Sequence, residues 1–159
     1  VFTVEQRELY KIVYDSQEAG ISAAKKGASF KDISNACYNV VKEGLLKLGI
    51  IKKPEEFKRY LPHGVAHHIG LDVHDPGLYE NLSPNMVITV EPGIYIPKDS
   101  PCDSKWWEIG IRIEDDILIT DNGNINLSKD APRKWDEIEK LMKEKSALDD
   151  FELPPLRIN

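Results

Sequence analysis

Apolar residues recur on a helical period from Leu9 to Leu48 and on a two-residue period in the later part of the chain. Leu9, Tyr10, Ile12 and Val13 form one stripe, the spacing of a helix that buries a single face. Thr3 and Gln6 suit a capping box at its start and Gly27 a C-cap at its end, so a first helix is predicted over residues 4–25. Ser29 can cap a second helix, whose positions Phe30, Ile33, Cys37, Val40, Val41, Leu45 and Leu48 keep the period until Gly49. From Pro62 onward, short β-branched runs separated by Gly, Pro and Asn read as strands and turns. A last helix is expected over 134–145, after Pro132, and the tail 146–159, with Pro154-Pro155, reads as an arm or flexible end. The pattern has no internal repeat. It predicts an α+β fold: two or three helices on a curved, mostly antiparallel sheet.

Strand alternation places two carboxylates. Ile109, Ile111 and Ile113 share one face of their run, leaving Gly110, Arg112 and Glu114 on the other. In the preceding run Met86, Ile88 and Val90 oppose Val87, Thr89 and Glu91. A carboxylate on a strand face is costly to bury unless a cation balances it. The plainer alternative is a pair of solvated strand ends, or a simple Glu114–Arg112 ion pair.

Composition narrows the class. The 159 residues suit one domain or one lobe of a larger one, and 41% apolar residues are enough for a core. A net charge of -6 without a basic stripe argues against nucleic acid and against an anionic membrane surface. Cys37 lies in a helical pattern and Cys102 in a loop, so two free thiols are expected rather than a bridge or a thiolate metal site. No signal-peptide pattern occurs, nor an apolar run near the ~20 residues that span a bilayer. A cytoplasmic location is expected. Because the chain opens on Val1 and enters a helix within a few residues, a processed product or fragment is also expected.

All four histidines, His63, His67, His68 and His74, fall within one short stretch. Neighbours on an extended segment point to opposite sides, so one of His67 and His68 can face a site, and His68 suits packing or a surface role. The spacing is wrong for a zinc finger and no cysteine assists. Imidazole mixed with carboxylate suits Mn, Fe, Co or Zn at a catalytic centre. Asp72 and Asp75 are open between orienting imidazoles and capping turns. The loop 100–107, with Trp106-Trp107, is open between a pocket wall and a contact for other chain.

These segments carry a resemblance. His63-Gly-Val-Ala-His67 with Gly70-Leu-Asp-Val-His74-Asp75, then Val90-Glu91-Pro-Gly-Ile-Tyr95, then Gly110-Ile-Arg112-Ile-Glu114-Asp-Asp, resemble the pita-bread metallopeptidases of the Xaa-Pro aminopeptidase (aminopeptidase P) and prolidase family. The resemblance runs from about Phe2 to Met142, and Val1 to Tyr10 resembles the helix opening after the family's second metal-binding aspartate. It implies metal ligation by His67, Glu91 and Glu114, with Glu114 bridging two ions. It implies catalytic roles for His63, His74 and Arg112, and substrate contacts from His63, His74, Tyr95 and Arg112. The family cleaves the bond between a first residue and a following proline, usually with manganese; cobalt and zinc are alternatives.

The family's site also needs two upstream aspartates on a hairpin, and no such pair is present; Asp15 and Asp32 sit in helical segments. The expectation is therefore the C-terminal part of a pita-bread catalytic domain over 1–145 plus a tail over 146–159. Such a piece would hold one ion or none and be inactive alone, with a homo-oligomeric parent enzyme. Proline-second peptides are the expected substrates. A strict dipeptidase must neutralise a free substrate carboxylate, and Pro76 to Asn85 offers no Lys or Arg, which favours the aminopeptidase. A non-catalytic pita-bread domain that binds peptides or proteins is the alternative from another class.

Overall fold

Both leading helices start where their caps predict. The computed structural model describes residues 1–146, Leu148, Phe151 and Glu152, so most of the expected tail 146–159 lies outside the described residues. In α1 (Val4–Ala23) the Thr3 hydroxyl accepts from the Gln6 N–H at 3.2 Å and the Gln6 side chain accepts from the Thr3 N–H at 3.0 Å. In α2 (Phe30–Lys47), Ser29 and Asp32 make the same reciprocal pair. Beyond α2, Gly49 takes a positive φ of 68°. There the Gly49 N–H bonds the Leu46 carbonyl and the Ile50 N–H the Leu45 carbonyl, a Schellman end.

Gly27 is not the C-cap of α1. The helix ends at Ala23 and is capped by Ala24, which is fully buried and extended. Gly27, at φ 83°, turns the link instead and donates to the Leu82 carbonyl at 2.8 Å. Burying Ala24 ends the helix sooner than the sequence signal would.

Among the described residues five strands follow: β1 (Val87–Val90), β2 (Gly93–Ile96), β3 (Ile109–Arg112), β4 (Asp115–Thr120) and β5 (Gly123–Asn126). All pairings are antiparallel, β1–β4–β5 in one sheet and β2–β3 in the other. Val90 faces Asp115 and Gly93 faces Arg112, so one register runs through both pairs, and they form a single ribbon interrupted at Glu91-Pro92 and Ile113-Glu114. Pro92 has no N–H to give the ladder. Its carbonyl accepts from Ile113 at 3.4 Å.

The histidine segment flanks the other edge of β1. Glu91 N–H donates to Val65 O at 2.8 Å, Thr89 N–H to His67 O at 2.8 Å, and His68 bridges Ile88. Thr89 is fully buried alongside Ile88 and Val90. Both faces of β1 are therefore covered from Ile88 to Val90, while Val87 stays partly exposed. The β3 run alternates as expected, with Ile113 buried and Gly110, Arg112 and Glu114 exposed.

Leu9, Val13, Ile33, Cys37, Val41 and Leu45 of the helices pack with Ile88, Val90, Ile94, Ile117 and Ile119 of the strands in one core, the expected α+β arrangement. Two helical glycines let α1 and α2 approach closely. A Cβ on Gly20 would lie 2.5 Å from Cys37 Sγ and 2.8 Å from Val90 Cγ1, and one on Gly44 would lie 2.7 Å from Ile12.

The last helix, α3 (Trp135–Leu141), is shorter than expected. Trp135 and Ile138 reach the core, but Leu141 and Met142 are 50% and 74% exposed, so nothing beyond them rewards another turn. Short 3₁₀ turns at Pro54–Arg59 and Ser104–Trp106 had no signal in the periodicity. The second seats Trp106 in the core, while Trp107 donates its indole N–H to Ser100 O at 3.0 Å. That loop folds onto the chain's own interior. Both cysteines are free, and no described helix is long and apolar enough to cross a membrane.

Candidate metal centre

The continuous register places Glu91 opposite Glu114 at the break in the ribbon. Directly opposed residues of an antiparallel pair share a face, and like charges there repel. His67 joins them from the flanking segment. One ligand atom from each of His67, Glu91 and Glu114 lies within 4.8 Å of the other two. Although the Glu114 residue is exposed, partial desolvation of its carboxyl raises it above the usual carboxylate range, the Glu91 charge adds to this, and Arg112 and His67 offset part of it.

The His67 ring is oriented by its own backbone neighbour. Its Nδ1 lies 2.9 Å from the His68 carbonyl oxygen, an acceptor only, so Nδ1 carries a proton. In the neutral imidazole Nε2 then presents a lone pair. Glu91 Oε1 is 3.2 Å from that nitrogen, and the Glu91 side chain is 12% exposed. Two facing lone pairs call for a proton or a metal ion between them. By donor chemistry and spacing the three residues fit a divalent ion.

The other expected residues surround this group. His63 Nε2 lies 2.9 Å from the Tyr95 hydroxyl and its Nδ1 2.6 Å from Gly64 O. The His74 ring is exposed and stacks obliquely on His67, centroids 4.4 Å apart. Arg112 Nη1 is 3.8 Å from Glu91 Oε2, so its ion pair is with Glu91 and not Glu114. His63, His67, His74, Glu91 and Arg112 line a cavity of about 280 Å³. A hollow of about 520 Å³ adjoins it between Pro62, Tyr95 and Gly110.

His68 points away, with Nε2 3.0 Å from Leu78 O and its ring packed against Phe30 and Tyr79. Asp75 accepts from the N–H groups of Leu71 and Asp72; it caps a turn and orients no imidazole. Sequence reasoning missed Gln17, Asp115 and Arg133, which lie behind the carboxylates. Gln17 had a faint signal as a polar residue four positions beyond Val13 on the buried stripe of α1. Arg133 had none, because its partners are distant in sequence.

An imidazole and two carboxylates gathered at a ribbon break, with further imidazoles and a guanidinium around a cavity, define a candidate metal-dependent hydrolytic centre. Residues 1–121 match the model of Metallopeptidase family M24, and the chain belongs to that family. It is 41% identical over 153 residues to the Xaa-Pro aminopeptidase of Escherichia coli strain K12, covering 89% of this chain and 35% of that protein. Xaa-Pro aminopeptidase 3 of Rattus norvegicus is also 41% identical, over 88% of this chain and 29% of its own length. Among solved structures, aminopeptidase P from E. coli with the inhibitor Pro-Leu superposes at a TM-score of 0.85 with 41% identity, covering 89% of this chain and 35% of that one. Pseudomonas aeruginosa aminopeptidase PepP superposes at 0.85 with 35% identity, over 89% and 35%. The fold is the pita-bread arrangement of these enzymes, and the chain spans about a third of the length of the curated relatives it matches. Membership implies divalent metal ions, and among the described residues His67, Glu91 and Glu114 form the group able to hold one.

Proposed function

We propose that residues 1–145 carry one part of the active centre of a dinuclear Xaa-Pro aminopeptidase, with His67, Glu91 and Glu114 as metal ligands and Glu114 as the bridge. The convergence of those three ligand atoms within 4.8 Å carries the reading. Manganese is the proposed metal, with cobalt or zinc as substitutes; a hard, carboxylate-rich set suits the first. The substrates are peptides with proline second, the parent enzyme is a cytoplasmic homo-oligomer, and residues 146–159 form a tail outside the catalytic part.

When bound, divalent ions supply Lewis-acid polarisation of the scissile carbonyl and an activated water. The chain's own residues do the remainder. Glu91 and Glu114 hold negative charge where a cation is needed, and His68 O fixes the His67 ring through Nδ1. Tyr95 and His63, joined at 2.9 Å, form a wall of the hollow beside the centre, and Gly110 leaves that hollow open for a proline ring. His74, exposed beside His67, donates a hydrogen bond to the carbonyl oxygen or the proline nitrogen. Arg112 lies along Glu91 and presents the rest of its guanidinium to the substrate. A dipeptidase would need a further cation for the substrate carboxylate, and residues 76–85 contain none.

Three protein ligands hold one ion rather than two. Calorimetric titration of the chain with manganese is expected to give one weak site, lost in His67→Ala and in Glu114→Ala. Two bound ions, or a site that survives unchanged in either variant, would overturn the assignment.

A further inference from the structure

Glu91 and Glu114 lie immediately beyond the last ladder pair, Val90 with Asp115, and a buried polar cluster grips both members of that pair from behind. Gln17, on α1 and fully buried, donates its amide N–H to the Val90 carbonyl at 3.1 Å. The Glu91 N–H donates to Val65 O at 2.8 Å, so the peptide between Val90 and Glu91 is held at both ends. The Gln17 carbonyl oxygen accepts from Arg133 Nη1 at 2.8 Å. Arg133 Nε lies 3.0 Å from Asp115 Oδ2, on a side chain only 1% exposed, and Asn126 donates to the same oxygen at 2.7 Å. Glu18 accepts from Arg133 Nη1 at 2.7 Å, and Arg133's own carbonyl accepts from the Tyr10 hydroxyl at 2.7 Å.

A buried Arg–Asp pair with a glutamine contributes little net stability over an apolar packing of the same volume, because desolvation offsets the attraction. Its physical yield is geometry. One guanidinium, itself held from α1, joins the backbone before Glu91 to the residue after Glu114, across a ribbon that the break at Pro92 would otherwise leave free to splay.

We propose that Gln17 and Arg133 are positioning residues, which set the separation of the Glu91 and Glu114 carboxylates by clamping Val90 and Asp115. The functional part of this inference rests on the metal-centre reading above. Metal-site partners outside the ligand set commonly change affinity about 10–100-fold when lost, and the clamp acts one step further out, through the backbone.

Gln17→Met keeps length and volume and removes both amide bonds. Arg133→Lys keeps the charge and loses the planar fork. Val41→Ala, buried on α2, reports general destabilisation. In the metal-free full chain, amide hydrogen exchange at Glu91 and Asp116, relative to α2 amides, is expected to rise about tenfold or more in Gln17→Met and Arg133→Lys but not in Val41→Ala. Manganese affinity is expected to fall about tenfold in the first two variants and to hold in Val41→Ala.

An unchanged exchange ratio in both variants overturns the clamp, and so does a raised ratio with unchanged manganese affinity. If the unvaried chain takes up no manganese, the exchange ratio alone decides the clamp, rising in both variants if it holds and unchanged if it does not. Should Gln17→Met not fold, Arg133→Lys carries the same measurements.

Discussion

At the scale of single residues, burial decides chemistry more than residue type does. The Cys37 thiol is pushed up to about 12 by burial, whereas Cys102 is partly exposed. Since the thiolate is the nucleophile, iodoacetamide at pH 8 is expected to label Cys102 alone in the native chain. Equal labelling of Cys37 would contradict the packing of α1 on α2. Glu114 tests the sign of a raised carboxyl. Its ionisation opposes folding, a cost that is absent below the unfolded carboxylate range and complete above the raised folded value. In the metal-free chain Glu114→Gln is therefore expected to raise the Tm at pH 7, with the gain shrinking as pH falls toward about 4.3. A lowered Tm at pH 7 would mean that attraction to Arg112 and His67 outweighs burial and Glu91. Period-two alternation sets His67 and His68 on opposite sides, but which of them faces the carboxylates was given by the resemblance and not by the period. The role of Asp75 was not legible, because turn-capping and imidazole-orienting carboxylates look alike in a sequence.

At the scale of elements, capping chemistry was readable and close packing was not. The Thr3–Gln6 box sits where predicted, and Thr3→Ala is expected to cost about 1 kcal/mol, read as a lower midpoint in urea. Gly20 sets two effects against each other. Helix propensity alone favours alanine by about 1 kcal/mol, but the added Cβ meets Cys37 Sγ at 2.5 Å and Val90 Cγ1 at 2.8 Å. Overpacking a fixed core costs about 1–3 kcal/mol, so Gly20→Ala is expected to lower the Tm. A higher Tm would show that the core yields at that crossing. The early end of α1 and the short α3 have different origins, since extended Ala24 leaves α1 by being buried in the core, whereas Leu141 and Met142 find no apolar surface to bury, and both depend on surface that other elements supply.

At the scale of the whole molecule, the proposed ligand set joins the flanking histidine segment, the end of β1 and the start of β4. A metal ion bound there links distant parts of the chain and, by mass action, favours the folded form. Manganese at about 100 times its dissociation constant is expected to stabilise the chain by about 2.7 kcal/mol, visible as a Tm increase that His67→Ala abolishes. No Tm increase in the unvaried chain would show that the three groups hold no ion in the folded state. Because three ligands would hold at most a single ion, the chain by itself is expected to release no product from an Xaa-Pro tripeptide with manganese present; metal-dependent release would overturn that count.

Local pattern was enough for the two capped helices, the strand-and-turn region after Pro62 and the α+β class, because caps and periodicities act over a few neighbouring positions, whereas His67, Glu91 and Glu114 were singled out as a set by the resemblance of three motifs. It took the folded chain to establish that β1–β4 and β2–β3 share one register, that Pro92 interrupts it where two glutamates face each other, and that Gln17 and Arg133 reach that interruption from α1 and the approach to α3. Those facts depend on which strand pairs with which, and on a guanidinium finding partners far along the chain. Register and long-range polar pairing are fixed by the packing of all the elements at once, so no window of sequence contains them.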